Sequence, residues 1–304
     1  MSKNSHFTPP MRDGVTASTV FLPEKTQFAS VFAYFVHHFS HISIEEWQQR
    51  FLQGLVFDAS GTVLTQDTPY LAQQHIYYYR ALPYEVEVPF EHRILFENSH
   101  FLLVDKPHFL TVSPTGKYVK QTLLTRLKKD SNNPDLSPIH RLDRETAGLI
   151  LISKQAATRG LYQQLFAQQK VKKTYHAIAP YCGNIAFPLR FSAHLKKGNP
   201  FYTMQITEEA SNSLTDIDIL EYGEKWAKYE LKPLTGKQHQ LRVHMNALGL
   251  PLKNDRFYPQ VQHLADDNFN EPLQLLAKNI EFIDPITQHR YSFSSFFDLL
   301  LPRE

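Results

Sequence analysis

The 304-residue sequence predicts an α+β protein, a mixed and mainly antiparallel sheet flanked by helices, with a small α/β domain in front of it. Three observations carry this. Segments 172–181 (KKTYHAIAPY) and 214–236 (LTDIDILEYG, WAKYELKPLTG) alternate apolar and polar residues as strands do, and the last two follow one another as an antiparallel pair. Segments 28–39, 157–169 and 239–249 have helical apolar spacing. Strands and helices do not alternate as in a parallel βαβ chain, and no internal repeat is present.

Residues 1–15 are polar and hold a Pro-Pro pair, which predicts a mobile arm. FASVFAYFVHHF (28–39) places Phe28, Phe32, Phe35 and Phe39 on one helical face. Ser43 with Glu46 predicts a capping box that opens a second helix, closed by Gly54. LVFDASGTVLTQ reads as a hairpin turning at Ser60-Gly61, and HIYYYRAL (75–82) as a strand. PYEVEVPFEH (83–92) has Pro near both ends and alternating acids, so it reads as an extended linker with a boundary near 92. The expected division is an arm over 1–15, an accessory domain over 16–92 and a main domain over 93–304. In the main domain, ILFENSHFLLVDKP gives two short strands meeting at Asn98-Ser99, TLLTRLKKD a helix, and GLILISK (148–154) a buried strand. LQLLAKNIEF (273–282) and RYSFSS (290–295) close the chain as strands.

Hydrophobic residues make up 42% and charged residues 20%, ordinary for a globular chain. No apolar run approaches the roughly 20 residues of a membrane helix. The N-terminus lacks a signal-peptide core, so a cytoplasmic address is expected. The single Cys182 excludes an internal disulfide and a thiolate metal site and reads as a small apolar filler. Charge is uneven: 1–95 carry six basic and nine acidic residues, 96–304 carry 26 and 21. A polyanionic partner would therefore sit mainly on the second part.

Four motifs carry chemistry. PIHRLDRETAGLILISK (138–154) sets Asp143 among His140, Arg141 and Arg144 just before an apolar strand. Such neighbours favour an ionised carboxylate, the requirement for a nucleophile or general base. LTGKQHQLRVHMNALGLPLKND (234–255) turns at Gly236 into a helix bearing Arg242, which suits a bidentate acid partner. His239 and His244 are five residues apart, well separated around a helix, with no Cys or acid in the segment completing a metal set, so metal is disfavoured. VDKPHFLTVSPTG (104–116) reads as a strand, a rigid turn at Lys106-Pro107 and a second strand. KVKKTYHAI (170–178) puts three lysines, suited to phosphates, before a strand with Tyr175 on the face of Lys173.

In this order the motifs resemble the RluA family of RNA pseudouridine synthases, over about residues 94–295. The family's marks stand here as Lys106-Pro107, HRLDRETAGL, Lys173-Thr174-Tyr175 and GKQHQLRVHMNALGLPLKND. The resemblance implies the pseudouridine synthase fold, an RNA partner (tRNA or ribosomal RNA), and no cofactor or metal. It implies Asp143 as catalytic aspartate, attacking the sugar or taking its 2′ proton. Tyr175 is then the ring that stacks on the target base and the base that deprotonates C5, and Arg242 the partner of the catalytic carboxylate. Arg141 would fill the gap left in the RNA stack, and Leu276 stands where many relatives have His. The expected substrate-binding set is His140, Arg141, Leu142, Arg144, Lys106, Lys173, Gln238, His239 and Leu276.

The sequence departs from the family at Lys237 and Gln238, where Arg and Thr are common, and at Asn254 where Gly is common; Asn best tolerates left-handed backbone among non-glycines. The first domain resembles the family's RNA-binding module in outline, yet its second helix has Glu45 and Glu46 against Arg50. Either it binds RNA through residues such as Arg50 and Arg80, or it serves packing or protein contact. The expected activity is isomerisation of specific uridines in tRNA or ribosomal RNA by a monomer. The alternative is a non-catalytic RNA-binding or RNA-folding protein that keeps the fold.

Overall fold

The computed structural model describes residues 7–24, 27–82, 84–262, 265 and 268–302. They form two compact units. The first runs to Glu85 and takes in 115–120 and 125–134; the second comprises 86–114, 121–124 and the chain from Asp135.

The first unit has a three-stranded antiparallel sheet in the order β1 (Ser18–Phe21), β3 (His75–Tyr78), β2 (Val56–Phe57). Helices α1 (Val31–His38) and α2 (Ile44–Leu52) each start on a serine: Ser30 accepts from the Ala33 amide and Ser43 from the Glu46 amide, both at 3.1 Å. Their apolar faces bury Val31, Phe35, Trp47 and Phe51 with Val56 and Ile76. Residues 7–15 are not the free arm the polar composition predicts. Val15 is buried, Phe7 packs edge-on to Tyr77, and the Tyr79 hydroxyl donates to the Pro10 carbonyl. The unit also ends earlier than residue 92 and recruits a distant segment, because the Glu85 carboxylate accepts from the amides of Val119 (2.7 Å) and Lys120 (2.9 Å).

The second unit is an eleven-stranded sheet. Its strands are β4 (Arg93–Glu97), β5 (Phe101–Lys106), β6 (Ser137–Pro138), β7 (Ala147–Ser153), β8 (Lys172–Pro180), β9 (Leu189–Lys197), β10 (Met204–Thr207), β11 (Ser213–Tyr222), β12 (Trp226–Pro233), β13 (Leu275–Ile283) and β14 (Arg290–Ser294). The order is β10-β9-β11-β12-β8-β13-β7-β5-β4, with β14 on β13 and β6 on β7. Helix α3 (Leu123–Ser131) lies mostly in the segment assigned to the first unit, while α4 (Ala156–Ala167) and α5 (Gln240–Ala247) belong to the second. As the sequence predicts, the sheet is mixed and mainly antiparallel; β7 with β13 is the one parallel pair among its described strands. The β9–β10 hairpin was not read from the sequence.

All seven residues of β7 are buried, which explains the unbroken apolar run. One core gathers Leu149, Leu151, Phe101 and Tyr162; a second gathers Ala177, Tyr229, Leu241, Met245 and Leu275. Gly148 stands at the head of β7 with φ +106°, and a Cβ there would lie 2.3 Å from the Ala277 carbonyl oxygen. Only glycine fits both the dihedral and the approach of β13. Gly148→Ala is therefore expected to destabilise the protein by about 3 kcal/mol or more in urea unfolding. An unchanged midpoint would mean that β7 and β13 separate at little cost.

Candidate active site

The loop 139–146 between β6 and β7 carries Asp143, and four bonds hold the loop from beneath. The Leu151 amide donates to His140 Nε2 (3.1 Å), and the His140 ring stacks on Phe166 with centroids 4.4 Å apart. Burial pushes the His140 pKa down to about 3, so this ring is a neutral strut and not one of the charges expected around Asp143. The Thr146 amide donates to the Asp143 carbonyl (3.2 Å) and closes the turn. His108 Nδ1 lies 2.6 Å from the Glu145 carbonyl, so it is the donor there. Lys106 donates to the carbonyls of Pro107 and Leu110 (both 2.9 Å) and of Arg144 (3.2 Å). Three acceptors match the three hydrogens of an ammonium, while full burial pulls the Lys106 pKa from 10.5 to about 7.

Above this loop sits the first turn of α5. Arg242, 1% exposed, is gripped by Asp255 through two bonds, Nε to Oδ2 at 2.8 Å and Nη2 to Oδ1 at 2.6 Å. Burial alone would lower the Arg242 pKa; the carboxylates of Asp255 and then Asp143 more than offset this and raise it. Nη1 remains, and it points at Asp143 Oδ2, 3.6 Å away. His239 Nε2 lies 3.6 Å from the same oxygen, and exposed Arg141 Nη2 lies 3.9 Å from Oδ1. The Asp143 carboxylate thus faces three nitrogen donors while its side chain stays 17% exposed. Gln240 braces the preceding loop: its carbonyl oxygen accepts from Thr235 Oγ1 (2.7 Å) and the Lys237 amide (3.0 Å), and its amide donates to Leu214 (3.0 Å).

These groups open onto a pocket of about 600 Å³ lined also by Tyr175, Lys173, Gln238, Phe166 and Leu275. Burial first, then the negative charge of Asp143, raises the Tyr175 pKa, so the ring enters as a neutral phenol. Burial lowers that of Lys173, whose Nζ lies 3.4 Å from the Thr235 carbonyl. The site offers an acid, an aromatic face and a basic surround.

Residues 100–247 match the family model described as RNA pseudouridylate synthase. The dual-specificity RNA pseudouridine synthase RluA of Escherichia coli is 34% identical over 183 residues, 57% of this chain and 80% of the relative. The chain belongs to the RluA family of RNA pseudouridine synthases. An uncharacterized RNA pseudouridine synthase of Synechocystis is 28% identical over 232 residues, 74% of this chain and 78% of that one. The solved structure titled human RNA pseudouridylate synthase domain containing 1 is 26% identical and superposes with a TM-score of 0.54, covering 67% of this chain and 83% of its own. The protein is accordingly an isomerase that converts uridine in RNA to pseudouridine.

Within this synthase, the residues expected at the site divide into two sets. Asp143, Tyr175, Arg242, Arg141, Leu142, His140, Lys173, Gln238 and His239 all line the pocket. Lys106, Arg144 and Leu276 do not. Lys106 is fully buried beneath the loop, so it supports the site instead of meeting substrate. Arg144 turns away to Glu145 (3.1 Å) and the Phe109 ring. Leu276 is fully buried on the other face of β13, and its neighbour Leu275 reaches the pocket, as strand alternation requires. His239 and His244 serve different partners: His244 is buried between Ser213 (2.8 Å) and Thr215 (3.0 Å). Asp255, Tyr258, Gln240 and Leu275 were missed. Only Asp255 had a signal, its place in the LKND tail.

The buried Lys106 sets a pH test of stability. Between pH 7 and 10.5 the unfolded chain holds this proton and the folded chain does not, so stability from this group rises with pH across that window. Wild type is expected to gain on Lys106→Met over that range by up to a few kcal/mol in urea unfolding. Equal pH slopes for the two proteins would show that the three carbonyls keep Lys106 protonated.

Proposed function

We propose that the pocket receives a uridine turned out of the stack of a tRNA or a ribosomal RNA, with Asp143 as the catalytic aspartate. The observation that carries this is the environment of Asp143: a partly exposed carboxylate at a pocket mouth, facing a buried guanidinium that is already fixed on Asp255. Isomerisation breaks N1–C1′, turns the uracil and forms C5–C1′. Attack on the sugar and removal of its 2′ proton both require an ionised carboxylate that can move without losing its surroundings. The Arg242 guanidinium 3.6 Å away supplies charge without locking the oxygen.

Arg242 orients Asp143 and disperses its charge. Tyr175 offers a flat ring for the uracil, and its hydroxyl, kept a neutral phenol by burial, is the group we assign to proton transfer at C5. Arg141 (side chain 72% exposed), Lys237 and Lys172 stand at the solvent side, where a phosphate backbone would run. The relative named as dual-specificity supports testing both RNA classes.

Tritium release from C5-labelled uridine in bulk tRNA, and separately in ribosomal RNA, measures the reaction. Wild type is expected to release tritium from at least one pool and Asp143→Asn from neither, with RNA affinity of the variant within a few fold. Turnover by Asp143→Asn near the wild-type rate would overturn the assignment of Asp143. Tyr175→Phe keeps the ring and removes the hydroxyl; a loss of about a hundredfold is expected if the phenol carries the proton. A full rate would leave Tyr175 as a stacking surface only.

A further inference from the structure

The side chain of Arg242 is aimed by Asp255; the ring of His239, the second donor facing Asp143, is aimed by something else. His239 Nδ1 lies 2.9 Å from the Tyr258 hydroxyl, and the Met204 amide lies 2.8 Å from the same oxygen. A backbone N–H can only donate, so it occupies a lone pair of the phenol oxygen and leaves the phenol proton for His239 Nδ1. Burial pushes the Tyr258 pKa up to about 12, so that proton is present throughout the working range. With Nδ1 accepting, the neutral imidazole carries its own proton on Nε2, the atom 3.6 Å from Asp143 Oδ2. The opposite tautomer would turn a lone pair towards a carboxylate oxygen and would leave the phenol proton without an acceptor among the described residues.

The ring has little freedom to choose otherwise. His239 is 8% exposed, lies against Phe257 (centroids 5.6 Å apart), and starts α5 with φ +51°. Charged groups reach it from several elements: Asp143, Asp255 and Glu145 favour an imidazolium, Arg242 opposes it, and burial opposes it most. The ring is therefore neutral near pH 7, and its position between Tyr258 and Asp143 leaves it no nitrogen for substrate.

We infer that His239 is a positioning residue for Asp143, a neutral imidazole whose tautomer is set by Tyr258 and whose Nε2–H is turned towards one carboxylate oxygen, 3.6 Å away. This rests on Asp143 being the catalytic aspartate. It replaces the substrate-binding role expected of His239, and it gives Tyr258, through the chain Met204–Tyr258–His239–Asp143, an effect on a reaction it does not touch.

Two measurements on the full-length protein test it. The first is the ¹⁵N spectrum of imidazole-labelled protein, with the His239 signals assigned by their loss in His239→Gln. Wild type is expected to show Nε2 protonated and Nδ1 accepting from pH 6 to 8.5, and Tyr258→Phe a mixture of tautomers. A wild-type ring protonated on Nδ1 overturns the proposal, whether or not an RNA substrate is in hand. The second is single-turnover tritium release. His239→Leu removes the donor and is expected to lower the rate about ten- to a hundredfold with little change in RNA affinity. His239→Gln, whose amide reaches the place of Nε2, is expected to restore most of it. Equal rates for His239→Leu and wild type, or equal loss in the Leu and Gln variants, overturn the positioning role alone. Full turnover by Asp143→Asn overturns the reading of the site beneath it.

Discussion

The guanidinium of Arg242 is the fixed point of the pocket. Burying an ion pair costs several kcal/mol per charge in desolvation, and a single salt bridge seldom repays it. Here the cost is met with full hydrogen bonding on one side: two short parallel bonds to Asp255, with the Phe257 and Tyr258 rings 4.8 and 5.4 Å from the guanidinium carbon. What the arrangement gains is direction. A guanidinium held at two nitrogens cannot rotate, so its third nitrogen faces Asp143 before any substrate arrives. The same Asp255 carboxylate accepts from the amides of Phe257 (2.8 Å) and Tyr258 (3.2 Å), so one acid orders both the arginine and the segment that carries Tyr258. Preorganisation of this kind is where buried charge serves function better than stability.

Much of this was legible in the sequence because it was written in local pattern. The Ser43 cap, the apolar run of β7, the helix of Arg242 and the left-handed Asn254 (φ +61°) follow from rules that act within a few residues. Three of the four motifs line one pocket, and the fourth, at Lys106, lies beneath its loop. What failed was whatever depends on the third dimension. Lys106 was expected among the substrate-binding residues, and only the fold reveals that it is enclosed by three carbonyls. Arg50 looked available to RNA, yet it is 5% exposed, bonds to the Ala81 carbonyl (3.0 Å) and lies over Trp47. Leu275 and Leu276 are equivalent in composition and opposite in role, because one residue of strand register decides which side a chain faces.

The loop of Asp143 shows how support is shared among groups that bind main chain. His140, Lys106 and His108 each bind backbone, not side chains, so the loop is defined by its main chain, and the side chains of Arg141 and Asp143 are left free to act. The buried neutral imidazole of His140 does not compete with Arg242 for the Asp143 carboxylate.

The place of β13 has a bearing on when the site comes into being. It lies between β7, which follows the Asp143 loop, and β8, which carries Tyr175, so the two strands nearest the chemistry touch each other only through it. The spacing of two ladders, roughly 10 Å, is thus set by a strand that begins at Leu275, a hundred residues after Tyr175. On the ribosome, the loops and motifs of the pocket emerge long before the strand that spaces them. A chain whose β13 is not yet paired carries the loops of the pocket without the strand that sets their spacing.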